Sequence, residues 1–225
     1  MNIKSTIFAV SLCIGTFNIT QAAVIVVNSG STEGFTVSNN DLIEGVTGAL
    51  TSGMLLGDEG TSADLSVLTN GAFGASGSPL DLAETVSVNS AAGSVTVTWQ
   101  IGSDLEGYDI TGVNVFTGWR DSGRDDLNFI ARYATVSNPN VFNDIATVSH
   151  ALNDTNSGAA MITDSNGLIA SGVGQVQIVF TDQENGYAGY REVDVFGAVT
   201  TVPEPSAVTL LCLASLGMVY RRQRK

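Results

Sequence analysis

An all-β antiparallel sandwich is the fold class the sequence predicts, and three observations carry it. Apolar residues recur with a period of two, the segments showing it are short and bounded by Gly, Asn, Asp and Ser, and helical spacing is nearly absent. The clearest strand is 94–101, where Val95, Val97, Trp99 and Ile101 alternate with Thr96, Thr98 and Gln100. Such a strand buries one face and wets the other. The same alternation occurs in 24–27, 85–88, 108–116, 128–136, 175–181 and 189–196. Many strands with no long crossover helix between them predict a jelly roll of about eight strands. Only 41–50, with Asn39 or Asn40 as N-cap, has the makings of a helical turn or two, and Gly45 and Gly48 weaken it.

The two ends of the chain have a different character. Residues 1–22 read as a signal peptide: a basic lead with Lys4, an apolar core over 7–19, and small residues before a cleavage point after Ala22 or Ala23. At the other end Pro203, Glu204 and Pro205 interrupt regular structure, 206–220 is almost wholly apolar, and 221–225 is basic. An apolar run followed by arginines predicts a short transmembrane helix with the basic end on the cytoplasmic side. Its 15 residues span roughly 22 Å against a hydrocarbon core of about 30 Å, short for a permanent anchor. Between these segments lies one exported domain, 24–199, with a tail over 200–225. Both cysteines, Cys13 and Cys212, fall in the targeting segments, so no disulfide can form in the body.

The body carries four arginines, Arg120, Arg124, Arg132 and Arg191, against 21 acidic residues, a net charge of −17. A surface of that sign repels phosphate backbones and excludes nucleic acid as a partner. For catalysis the body offers one histidine, His150, and no cysteine, which leaves no zinc cluster and no Cys nucleophile. Paired carboxylates hydrolyse glycosides, but no spacing among the acidic residues singles out a pair. A loop with Trp119, Arg120, Asp121, Arg124, Asp125 and Asp126 has the residue types of sugar recognition, in which a ring covers the C–H face and charged groups bond the hydroxyls. The competing reading is that Trp119 caps the core and Arg124 pairs with Asp121 or Asp125. Tyr187 and Tyr190 are the nearest further aromatics.

The order Pro203-Glu204-Pro205, apolar run, Arg221-Arg222 resembles the PEP-CTERM sorting signal. That resemblance implies an exosortase-type membrane peptidase as partner, transit through the inner membrane, and delivery to the cell surface or extracellular matrix. Three body segments, 66–71, 107–133 and 189–197, resemble in their order the galactose-binding-like jelly roll of discoidin domains and related carbohydrate-binding modules. The resemblance implies a sugar site with Trp119, Arg120, Asp121, Arg124 and Tyr190 as candidates. It also implies a structural Ca²⁺ between an early Asp-Gly loop and a Glu of the last strand. Glu192 matches that Glu, whereas Asn70 stands in place of the Asp, and the turn at 41–45 could substitute. Asn70-Gly71 also reads simply as a tight turn. The function these features lead us to expect is an exported, non-enzymatic structural or adhesive protein. The alternatives are a carbohydrate-binding module for exopolysaccharide and, third, a glycan hydrolase.

Overall fold

The computed structural model describes residues 23–57, 59–73, 81–89, 93–181 and 184–201. The expected signal peptide, and the tail with Pro203, Glu204, Pro205, Arg221 and Arg222, lie outside the described residues. Among those described, no helix is long and apolar enough to cross a membrane.

Among the described residues, eleven strands make up the body: β1 (Val24–Ser31), β2 (Ala49–Ser52), β3 (Leu55–Leu56), β4 (Val86–Asn89), β5 (Val95–Gln100), β6 (Tyr108–Gly118), β7 (Leu127–Thr135), β8 (Asn138–His150), β9 (Ser157–Asp164), β10 (Ala170–Phe180) and β11 (Tyr187–Val199). They form one sheet curled into two layers. One layer runs β1-β9-β6-β11-β4-β3 and the other β8-β7-β10-β5-β2, joined where Ala170 and Val173 of β10 pair with Ile110 and Tyr108 of β6. Val95, Val97 and Trp99 of one layer share a single buried cluster with Val113, Val115, Val193 and Val195 of the other. Phe180 and Tyr190 meet across the gap, ring centroids 4.1 Å apart.

Three departures from the sequence expectation have local causes. The stretch 41–50 forms a turn, closed by Val46 N–H donating to Ile43 O at 2.9 Å, because Gly45 takes φ +68 and β2 begins at Ala49. Strand β9 was invisible to a two-residue period because Ser157 to Ala160 are all buried, small on both faces. Strand β8 hid for the opposite reason, being mostly polar and solvated, with Pro139 and three asparagines that read as a turn.

Because neighbouring strands are antiparallel, the sandwich has two distinct ends. Ala23, the loop 101–107, the turn 135–138, the loop 164–169 and Thr200 gather at one end, here called the near end. The loops after β6, β8 and β10 gather at the far end. The 11 residues of β6 separate the two by roughly 33 Å at about 3.3 Å per residue. The last described turn is tied down at the near end. Thr200 N–H donates to Gly107 O (2.9 Å), and its hydroxyl donates to Asp109 Oδ1 (2.7 Å) and accepts from Gly172 N–H (3.2 Å).

Candidate functional site

The far-end loop that follows β6 is held from below. Trp119 N–H donates to Asn156 O (2.9 Å) and Gly189 N–H to Arg124 O (2.9 Å). The Trp119 ring lies against the backbone of Gly189, where a Cβ would meet its Cε3 at 2.6 Å, so only glycine fits that position of β11. Trp119 is 1% exposed and Tyr190 fully buried, its hydroxyl donating to Asn128 O at 3.1 Å. As folded, neither candidate ring offers a face to a sugar. Burial also pushes the Tyr190 hydroxyl far above the usual phenol range.

The charged residues of that loop are arranged differently from either expected pairing. The Arg124 guanidinium sits between two rings, 5.0 Å from the Trp119 centroid and 5.1 Å from that of Tyr187. It pairs with neither Asp121 nor Asp125 but with Glu59, Nη1 to Oε1 2.8 Å. Arg120, exposed, donates from Nη2 to Glu59 O at 2.7 Å. Asp121 accepts from Gly123 N–H and closes its own turn. What the far end presents to solvent is therefore Arg120, the edge of Tyr187 and a set of carboxylates.

Asp125, beneath this loop, is fully buried. Its Oδ2 accepts from the Thr155 hydroxyl (3.2 Å), while Oδ1 has no partner. Burial, with smaller contributions from Glu184 and Asp126, pushes its carboxyl up to about 7.

A second acidic group lies on the outer face of β11. A bulge at Arg191 turns Glu192 and Asp194 away from the core while Val193 and Val195 point in. Glu192 accepts from Gly71 N–H (3.2 Å) and Asp194 from Ser38 N–H (3.0 Å). Asp41 accepts from Ile43 N–H (3.0 Å) and Val195 N–H (3.2 Å). Glu44 comes within 3.0 Å of a Cβ built on Gly71. Each of Asp41, Glu44, Glu192 and Asp194 has one buried oxygen with no partner. Desolvation pushes Glu192 up to about 9 and Asp194 to about 7 and raises Asp41 and Glu44, with repulsion from neighbouring carboxylates adding to the shifts of Glu192, Asp194 and Glu44.

Orphaned carboxylate oxygens around one strand are the donor set a hard cation prefers, with backbone carbonyls completing it. Among the described residues, no three side-chain ligands are close enough to enclose a metal alone, so backbone oxygens would have to contribute. Asn70 stands outside the set: it is exposed, and its side chain accepts from Ala72 N–H at 3.0 Å, as a turn residue does. The turn at 41–45 brings Asp41 and Glu44 into this acidic group. Sequence reasoning missed Asp194, although Glu192-Val193-Asp194 places two carboxylates on one face of any strand.

These features define an acidic β-sandwich whose far-end loop packs into the core, with residue 201 leaving from the opposite end. Residues 201–225 match the PEP-CTERM protein-sorting motif, which implies export, exosortase processing and sorting to the cell surface. Among solved structures, the chain is similar to a Clostridium perfringens module, CpGH89CBM32-5, in complex with GalNAc-beta-1,3-galactose. That match has 15% identity and a TM-score of 0.47, covering 70% of this chain and 99% of that one. It is also similar to the family 32 carbohydrate-binding module of C. perfringens NanJ in complex with galactose, at 11% identity and TM-score 0.45, covering 67% and 92%. A third is a fucolectin from striped bass (Morone saxatilis) serum, at 17% identity and TM-score 0.45, covering 73% and 50%. No curated protein matches the sequence.

Proposed function

We propose that the chain is an exported β-sandwich handed to the cell surface or polymer matrix, where it has a non-enzymatic structural or adhesive role. The observation that supports this most is the sorting motif itself, which begins directly after the residue that ties down the end of β11. An exosortase-type peptidase would act on Pro203, Glu204 and Pro205. Replacing all three with Ala is expected to hold the protein in the inner membrane, measured by fractionation. Unchanged surface delivery would overturn the reading.

Among the described residues, two clefts bear on the glycan-hydrolase alternative. One of about 210 Å³ is lined by Gln100, Asp104, Thr135, Pro139 and Gln175, and one of about 220 Å³ by Asn40, Asp41, Leu42, Phe196 and Gly197. Each offers a single carboxylate where glycoside hydrolysis needs two. His150 ends β8 opposite Leu127, the ordinary place of a strand-end residue. Ca²⁺ has a structural part in this proposal: Asp41, Glu44, Glu192 and Asp194 would hold it and fasten the loops before β2 and β4 to β11.

A second reading, exopolysaccharide binding, is supported by one feature: at the far end of a strongly acidic domain Arg124 lies over Tyr187 and Arg120 joins it on Glu59. Retention of the purified chain on surface polysaccharide, lost in Arg120→Ala with no change in melting temperature, would favour it. A chain that no surface polysaccharide retains would leave the structural role.

A further inference from the structure

We infer that the near end of the sandwich lies against the lipid surface while the tail is inserted, with Leu105 at the contact. The inference rests on the sorting reading and adds to it an orientation and an interaction surface. Of the eleven large hydrophobic side chains exposed among the described residues, six belong to this end: Val24, Ile25, Leu105, Val136, Leu168 and Val199. Leu105 is the extreme case, 90% exposed at the tip of its turn. That turn is well held: Glu106 N–H donates to Asp104 Oδ1 (2.9 Å) and Gly107 N–H to Asp104 O (3.2 Å). Two residues past Leu105, the Gly107 carbonyl accepts from Thr200 N–H, so the exposed leucine and the departing tail share one small structure. Val136 joins it through its N–H to Gly172 O (2.9 Å), Gly172 being the residue whose own N–H bonds the Thr200 hydroxyl.

The length of the tail decides what covers this patch. Thr201 is the last described residue and the apolar run begins about Ala207. Six residues reach at most about 22 Å even when fully extended. With the run in the bilayer, the near end is therefore held within that distance of the hydrocarbon. The polar interface itself takes up several ångströms of the gap. The far end stands roughly 33 Å further off along β6. So short a tether presents the near end to lipid at high effective concentration, and no intrinsic affinity of the free domain is required. Charge does not assist the contact, because the near-end loops carry Asp104, Glu106 and Asp164 and neither arginine nor lysine, so the apolar tips must carry it. A cluster of apolar tips on firm turns is suited to shallow entry among headgroups.

The test uses the full chain without its signal peptide, reconstituted in phosphatidylcholine vesicles containing a nitroxide-bearing lipid. In a Cys212→Ser background, a fluorophore is placed at Leu105→Cys or, for comparison, at Met54→Cys. Met54 is 46% exposed and lies at the far end beside the start of β5. The chain is expected to co-float with vesicles, with the label at 105 losing fluorescence to the nitroxide and the label at 54 keeping it. Co-flotation with both labels quenched alike, or with neither quenched, overturns this inference and leaves the sorting reading standing. A chain that does not co-float overturns both.

Discussion

At the far end, Trp119 and Asp125 are buried and tied to the loop before β9 through Asn156 and Thr155, and Tyr190 is buried and tied to β7 through Asn128. At the near end, Leu105, Val136 and Val199 face solvent above turns that are closed mainly by their own backbone and by Thr200. The same strands run through both ends, so the difference lies in the loops alone. Far-end loops are part of the core, and a residue there that reads as a binding group is first a packing group. Near-end loops contribute little burial, and their apolar residues are free to serve something outside the domain.

The largest expected effect tests that contrast directly. Trp119→Ala should cost about 3 to 5 kcal/mol, the range for truncating a buried aromatic, while Leu105→Ala should stay within about 0.5 kcal/mol, as exposed sites do. Denaturant unfolding of the two variants measures both, and equal losses would erase the distinction. Next comes Ca²⁺. At a free concentration 100-fold above its dissociation constant it should add about 2.7 kcal/mol by mass action, seen as a rise in melting temperature that Glu192→Gln removes. A wild-type melting temperature indifferent to Ca²⁺ and to chelator would return the β11 carboxylates to a purely structural account.

Asp125 gives a smaller, pH-dependent effect. Its folded carboxyl lies near 7, above the ordinary 3.8, so between those values the folded state keeps a proton the unfolded chain has released. Stability should therefore fall as pH rises from about 4 to 7, by at most about 1.4 kcal/mol per unit from this group, and level off above. Because Glu192 and Asp194 slope the same way, the measurement is the difference between wild type and Asp125→Asn, whose profile should be flatter. Parallel profiles would show that Asp125 is ionised in the fold. The smallest effect belongs to Thr200→Val, which removes a hydroxyl making two hydrogen bonds. About 1 kcal/mol is expected, with protease cleavage near residue 200 as the more sensitive readout.

The strands legible in the sequence were those with one wet face, such as β5 with its Val-Thr alternation. The mostly solvated β8 and the first half of β9, buried on both sides, give no period to read. Among the candidate site residues, Glu192 could be placed in the last strand from its alternation with Val193 and Val195. The partners that gather round it could not, because Asp41 and Glu44 reach it from about 150 residues away in sequence, through turns whose geometry depends on Gly45 and Gly71. Trp119 was ambiguous for a similar reason. Whether its ring is covered depends on Gly189, a residue of β11 that local pattern could not connect to it.

The pairing of β11 has a mechanical consequence. Nine of its residues, from Tyr190 to Val199, pair antiparallel with β6, and the strand runs from the far-end loops to the point where the tail departs. A pull between whatever grips the far loops and whatever holds the C-terminal end acts along the strand axis, across hydrogen bonds that lie perpendicular to it. All of those bonds then bear the load together in shear and are not opened one at a time. Pulling across the sheet would peel them singly, so force spectroscopy along the two directions should give a markedly higher rupture force for the axial one.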